Sequence, residues 1–155
     1  MDERLALIAL SRLQGFNAFK KKAIADRHDN VACLFEGKVK SSDLDMQSKI
    51  SSFKNWNALE KEISMLEKMK VDIITIRDSG YPNLLKNIPD PPLVLYKKGP
   101  LGFCENTIAI VGSRKATFTG INLAEKIAET LSAYGITVVS GFAMGIDTSA
   151  HKGAL

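Results

Sequence analysis

The chain has 155 residues, 45% hydrophobic and 25% charged, with a net charge of +4; this is enough for one medium domain or two small ones. No apolar run approaches the ~20 residues of a membrane span, and the start (Asp2-Glu3, then Leu5 to Leu10) lacks the basic segment of a signal peptide. The charge is shared evenly, with 13 basic and 10 acidic residues up to Lys70 and 8 and 7 after it, so any contact with phosphate must come from a local cluster.

Residues 1 to about 70 read as helical. Leu5, Ile8, Ala9 and Leu13 share one helix face, and Gly15 is a stop. Asn17 is placed to cap a second helix burying Phe19, Ala23 and Ile24. Asn30 to Phe35 is a short third helix. Ser41 or Ser42 can cap a fourth, with Leu44, Met46 and Ile50. Asn57 and Glu60 have capping-box spacing before Leu59, Ile63, Leu66 and Met69. Character changes at Val71. Val71 to Ile76 is strand-like, Asn83 to Ile88 a short helix, and Leu93 to Tyr96 a short strand after Pro89, Pro91 and Pro92. Tyr81 and Tyr96, either side of the prolines, are expected in the core. Cys33 and Cys104 have no metal-ligand spacing and read as reduced thiols of a cytoplasmic protein.

The organising stretch is Thr107 to Gly120. Ile108, Ala109, Ile110 and Val111 run straight into Gly112-Ser113-Arg114, as in a strand buried on both faces of a parallel sheet. Ile121, Leu123, Ala124, Ile127, Ala128 and Leu131 then follow at helical spacing. The intervening loop carries Ser113, Arg114, Lys115, Thr117, Thr119 and Gly120 at a helix N-terminus, where unpaired backbone N–H groups and the helix dipole favour an anion, usually phosphate. An Arg there can grip phosphate through two hydrogen bonds. The pattern repeats: Ile136 to Ser140 is a second strand, and Gly141 to Gly145 leads into a helix near Ile146. Consecutive βαβ units lay parallel strands side by side, so both loops are expected to open on the same edge.

Asp147 can cap the last helix or pair with Arg114, and His151 follows it at i+4; a capping Asp with a half-exposed His and a functional pair are both open. Phe118 is the better candidate for stacking on a base. Lys20-Lys21-Lys22 beside Gly15-Phe16-Asn17 suggests a helix-hairpin-helix, but Asn17 replaces its second glycine, and a solvated lysine face is the preferred reading. A nicotinamide-dependent oxidoreductase lacks support: the G-x-G-x-x-G spacing is missing and the second strand ends in Ser140 instead of an acid. A Walker A loop and a metal cluster are missing too.

The ordered blocks Tyr81-Pro82-x-x-Leu85, Ile88-x-Asp90-x-Pro92-x-x-Leu95-Tyr96-x-x-Gly99, Ile108 to Arg114 with Thr117 and Gly120, Ser140-Gly141-x-Ala143-x-Gly145-Ile146-Asp147 and Ala150-His151-x-Gly153-Ala154-Leu155 resemble the DprA/Smf family of bacterial DNA-processing proteins. The resemblance covers residues 69 to 155; Thr119 stands where the family often has an aromatic. It implies an α/β protein. A small α-helical domain (sterile-alpha-motif or helix-hairpin-helix-like) over 1–68 precedes the first part of a Rossmann-like parallel-sheet domain over 69–155, truncated at Leu155. It also implies single-stranded DNA binding and protection without catalysis or cofactor, loading of the RecA recombinase during DNA uptake and natural transformation, and a homodimer in the full-length protein, without a membrane partner. The family's Gly-Ser-Arg loop maps onto Gly112, Ser113 and Arg114 and its second block onto Ser140 to Asp147; with the loop reading above, the candidate phosphate-binding residues are Gly112, Ser113, Arg114, Lys115, Thr117, Gly120, Ser140, Gly141 and Gly145, with Asp147 and His151 in support. Two alternatives stay open: an enzyme acting on a nucleotide in the same pocket with Asp147 or His151 as acid or base, and an interaction module carried by the helices.

Overall fold

The structure, a computed structural model, describes residues 1–99 and 106–155. It divides into two compact units, Met1–Leu101 and Gly102–Leu155. Cys104 lies outside the described residues; Cys33 is a free thiol.

The first unit opens with five helices, α1 (Glu3–Arg12), α2 (Ala18–Arg27), α3 (Ala32–Phe35), α4 (Leu44–Ser51) and α5 (Trp56–Lys68). They are followed by β1 (Val71–Thr75), α6 (Asn83–Lys86) and β2 (Val94–Lys98). The core is built around α1, whose residues Ala6 to Leu10 are all buried, with Val31, Leu34, Met46 and Ile50 against them. Phe35, Phe53 and Trp56 add an edge-to-face cluster with centroids 4.7 to 5.9 Å apart. Asn17 caps α2 as its spacing predicts, its side chain accepting from Lys20 N at 2.9 Å. Asp43, not Ser41 or Ser42, caps α4 through Met46 N. That hydrogen bond is the main cause holding the Asp43 carboxyl below its usual range. Ser41 instead accepts from Asp43 N. The capping box expected at Asn57 is not formed, because α5 already begins at Trp56, the residue anchored in the aromatic cluster.

β1 and β2 form an antiparallel pair, Val71 opposite Lys98 and Thr75 opposite Val94. They contact α1, and β1 also contacts α5, so the first unit runs past the boundary expected at residue 68. The β1–β2 sheet is separate from the parallel one. Its buried Ile73 and Val94 belong to the helical core. Arg77, just after β1, donates to the carbonyls of Ala25, His28 and Asp29 at the end of α2 and to Glu3. It thereby satisfies carbonyls that a helix end leaves without intrahelical partners. Tyr81 is core as expected. Its hydroxyl donates to Pro92 O at 2.7 Å, and burial pushes its pKa up. Tyr96 is not: it is 44% exposed on the strand, its hydroxyl accepting from Arg12 at 2.7 Å. Phe19, expected buried, is 60% exposed, because α2 turns Ile24 and Ala25 to the core instead.

The second unit is β3 (Thr107–Ala109), α7 (Phe118–Ala133), β4 (Thr137–Val139) and α8 (Ile146–Ala154). β3 and β4 are parallel, with Ile108 beside Val138, as the βαβ pattern predicts. Ile110 N to Val139 O and Thr137 N to Asn106 O extend the ladder. The helices meet through small residues: Ala124, Ala128 and Ala150 are buried, and a Cβ on Gly153 would strike the backbone of Glu125. The strands are not buried on both faces, and Ile108 is 41% exposed. Burial on both faces needs a layer on each side and a strand on each edge. Among the described residues the sheet has two strands. No helix of the described residues is long and apolar enough to cross a membrane.

Candidate phosphate-binding site

Both βα loops of the second unit lie at the carboxyl ends of β3 and β4, and they touch. Ile146 N donates to Ser113 O at 3.2 Å. Gly145, with φ of +83°, sits so close to the carbonyls of Ser113 and Arg114 that a Cβ would overlap them. Gly112 is needed from the other side: a Cβ there would lie 2.8 Å from Ile146 Cγ1. The second loop is thus the floor on which the first is laid, and these two glycines permit the close approach.

The first loop leaves Ser113, Arg114, Lys115 and Thr117 exposed. Ser113 Oγ accepts from Lys115 N at 3.1 Å, closing a tight turn. Thr117 is the N-cap of α7, its Oγ1 accepting from Gly120 N at 3.2 Å. Each hydroxyl accepts a backbone bond and retains its own O–H to donate. Ile121 N is taken by Thr117 O, and the first-turn amides of Phe118 and Thr119 have no acceptor among the described residues. A Cβ on Gly120 would make only ordinary contacts, 3.4 Å from Thr117 Oγ1. Hydroxyls, unpaired amides, a helix N-terminus and two cationic side chains therefore converge on one turn, which suits an anion.

The other expected residues take structural positions. Ser140 Oγ donates to Ile110 O at 2.7 Å, tying the ends of the two strands together. Asp147 is buried, and its Oδ2 accepts from Ala143 N at 3.4 Å and lies 2.8 Å from where a Cβ on Gly141 would be. From the first turn of α8, Asp147 holds the second loop without making a side-chain cap bond, and no ion pair joins it to Arg114. His151 is half-buried, its Nε2 without a hydrogen-bond partner and not bonded to Asp147. Its ring meets Phe142 at 5.4 Å between centroids. Phe118 is 78% exposed at the start of α7. Phe142, which the sequence reading passed over, is 87% exposed. An apolar side chain in a Gly-rich strand-end loop was the signal for it.

The three lysines of α2 go the other way. Lys21 Nζ donates to Ser11 O at 2.7 Å, and burial lowers its pKa. Lys20 pairs with Asp43 at 3.7 Å and Lys22 with Asp26. All three are engaged with the first unit itself, which favours the structural reading over a helix-hairpin-helix.

Together the parallel βαβ unit and its paired loops define an α/β protein with a strand-to-helix turn suited to an anion. The chain belongs to the DprA/Smf family: the family model described as DNA recombination-mediator protein A matches residues 72–155. It is 28% identical over 154 residues to Protein Smf of Borreliella burgdorferi, covering 97% of this chain and 49% of that protein. It is 39% identical over 90 residues to the DNA processing protein DprA of Streptococcus pneumoniae, covering 57% of this chain and 32% of that one. The X-ray structure of the S. pneumoniae protein superposes with a TM-score of 0.60 at 26% identity, covering 97% of this chain and 53% of that chain. The chain thus spans about half the length of these relatives, or less.

Proposed function

We propose that this chain binds the sugar-phosphate backbone of single-stranded DNA through the Gly112–Gly120 turn, as part of a recombination mediator. The observation that carries the reading is the seating of Gly145 on the Ser113–Arg114 backbone. It presents Arg114, Lys115, the Ser113 and Thr117 hydroxyls and the first-turn amides of α7 on one open edge. Arg114 and Lys115 neutralise phosphate charge, and the hydroxyls and amides orient the oxygens. Binding then follows counterion release and falls with salt, with a slope of about 0.7 per phosphate for single strands. These groups reach phosphates, not base edges, so recognition is largely independent of sequence. Ser140 ties the strand ends and Asp147 holds the second loop beneath the turn; neither contacts the DNA. The relatives' names, DNA processing protein and recombination mediator, fit such a grip. The role carried over from the family is protection of an incoming strand and its delivery to RecA in the cytoplasm, by a homodimer of the full-length protein.

The nucleotide-enzyme alternative loses its acid–base pair: Asp147 is buried against Ala143 N, and no hydrogen bond joins it to His151. Competition distinguishes the two. A labelled oligothymidine bound to the chain should be displaced by unlabelled single strand and resist equal nucleotide amounts of duplex or mononucleotide. Displacement by mononucleotide at matching concentration would refute the strand reading.

A further inference from the structure

The second loop carries a feature that a phosphate grip does not use. Asp147 pins the loop on both sides of Phe142: its Oδ2 accepts from Ala143 N and lies against Gly141. Phe142 between them has φ of +58°, a left-handed conformation that a bulky residue rarely adopts. Its side chain is 87% exposed, touched on its edge by His151. The chain thus bears two costs at one position, a strained backbone and a largely bare aromatic ring, and among the described residues the ring's aromatic contact is the edge-type one with His151. Three residues on, Gly145 lies against the backbone of Ser113 and Arg114, so the ring and the cationic turn belong to one pair of touching loops. An exposed ring beside exposed cations matches one ligand chemistry: a polynucleotide, whose bases are flat and apolar and whose linkages are anionic.

We infer that Phe142 is the base-contacting residue of this site, its ring stacking on an unpaired nucleobase while the Gly112–Gly120 turn holds the neighbouring phosphate. The inference rests on the strand-binding reading and adds what that reading lacks, a reason for preferring single strands. In a duplex the base faces are already stacked on one another, so the ring finds no partner. The His151 edge acts as a positioning group for the ring.

The test is anisotropy with two labelled strands of equal length and charge, oligothymidine and its abasic counterpart. The proteins are the wild-type chain, Phe142→Gly and Phe142→Trp. The wild-type chain should prefer oligothymidine by about tenfold, from the usual worth of one stacked base. Phe142→Gly should bind both strands with the affinity the wild type has for the abasic one. Its thermal midpoint should not fall, because glycine accepts the positive φ; affinity and stability then move apart, as they would not for a structural residue. Phe142→Trp should keep the preference, with indole fluorescence quenched by oligothymidine only. Equal wild-type affinity for the two strands, or a preference that survives in Phe142→Gly, would overturn the inference and leave the backbone grip standing. Binding to neither strand would overturn both.

Discussion

In the unit Met1–Leu101 the cationic side chains near helix ends are turned onto the protein. Arg77 closes the carbonyl end of α2, Lys21 reaches Ser11 O, Lys20 meets Asp43 and Arg4 donates to Ile73 O. In the unit Gly102–Leu155 Arg114 and Lys115 make no ion pair among the described residues, and the side chains left bare beside them are large and apolar, Phe118 and Phe142 above all. The burial contrasts as well. The first unit encloses Leu7, Ile8, Leu10, Leu34, Met46 and Ile50, whereas the apolar side chains buried in the second are alanines at the helix–helix contact. The first unit uses its residues on its own stability. The second leaves its cationic and aromatic side chains outward on a thin scaffold, and the proposed strand contact belongs to this smaller unit.

Four substitutions break or sharpen this contrast. The largest effect is expected from Leu7→Ala, which opens a cavity in the first unit's core and should cost about 2–5 kcal/mol. Urea unfolding reads that loss, while strand affinity below the transition should stay unchanged. Gly145→Ala should act in the opposite manner. The added Cβ strikes the Ser113 and Arg114 carbonyls at a positive φ, so strand binding should be lost while the urea transition of the first unit persists. Arg77→Ala follows, removing charge-assisted hydrogen bonds to the end of α2 and costing about 1–3 kcal/mol, again with binding intact. Thr117→Ala removes the α7 cap, for about 1 kcal/mol; circular dichroism on melting reads it, and it should also weaken binding severalfold by loosening the turn.

Such effects could be anticipated where the determinant is local. Asn17 is a cap by its own chemistry. The parallel pairing of β3 and β4 follows from two apolar runs separated by a helical pattern, and the exposed turn between β3 and α7 follows from Gly112-Ser113-Arg114 at a strand end. Tertiary packing decided the rest. The α5 start moved to Trp56 because its ring joins Phe35 and Phe53 from elsewhere in the chain. β1 and β2 joined the helices instead of the parallel sheet because Ile73 and Val94 complete the helical core. Asp147 is expected from the sequence to cap α8 or meet Arg114, and the path of residues 141–143 turned it onto the second loop instead. Phe142 was invisible to periodicity, since nothing in a sequence reports a positive φ at a non-glycine residue.

The smallest expected effect concerns acid. The Glu36 carboxylate is held to a pKa of about 2, first by its hydrogen bond from Lys38 and then by that from the Met1 amino group. A folded-state value below the ordinary 4.5 means that this stabilisation is fully present above about pH 4.5 and is lost as pH falls through about 2. Glu36→Gln should therefore flatten the fall of thermal midpoint across that window and leave it unchanged near neutrality. The cluster is exposed, so the difference will be slight.

The central claim is that Arg114 on its glycine-backed turn neutralises strand phosphate. Its most direct test is the salt dependence of oligothymidine affinity for the wild-type chain and for Arg114→Gln. The account predicts a steep linear fall of log affinity with log salt in the wild type. In Arg114→Gln the affinity should be weaker and the slope shallower by about 0.7, the release belonging to one phosphate. An unchanged slope and affinity, in a variant with an unchanged melting curve, would contradict it and move the DNA contact away from this turn.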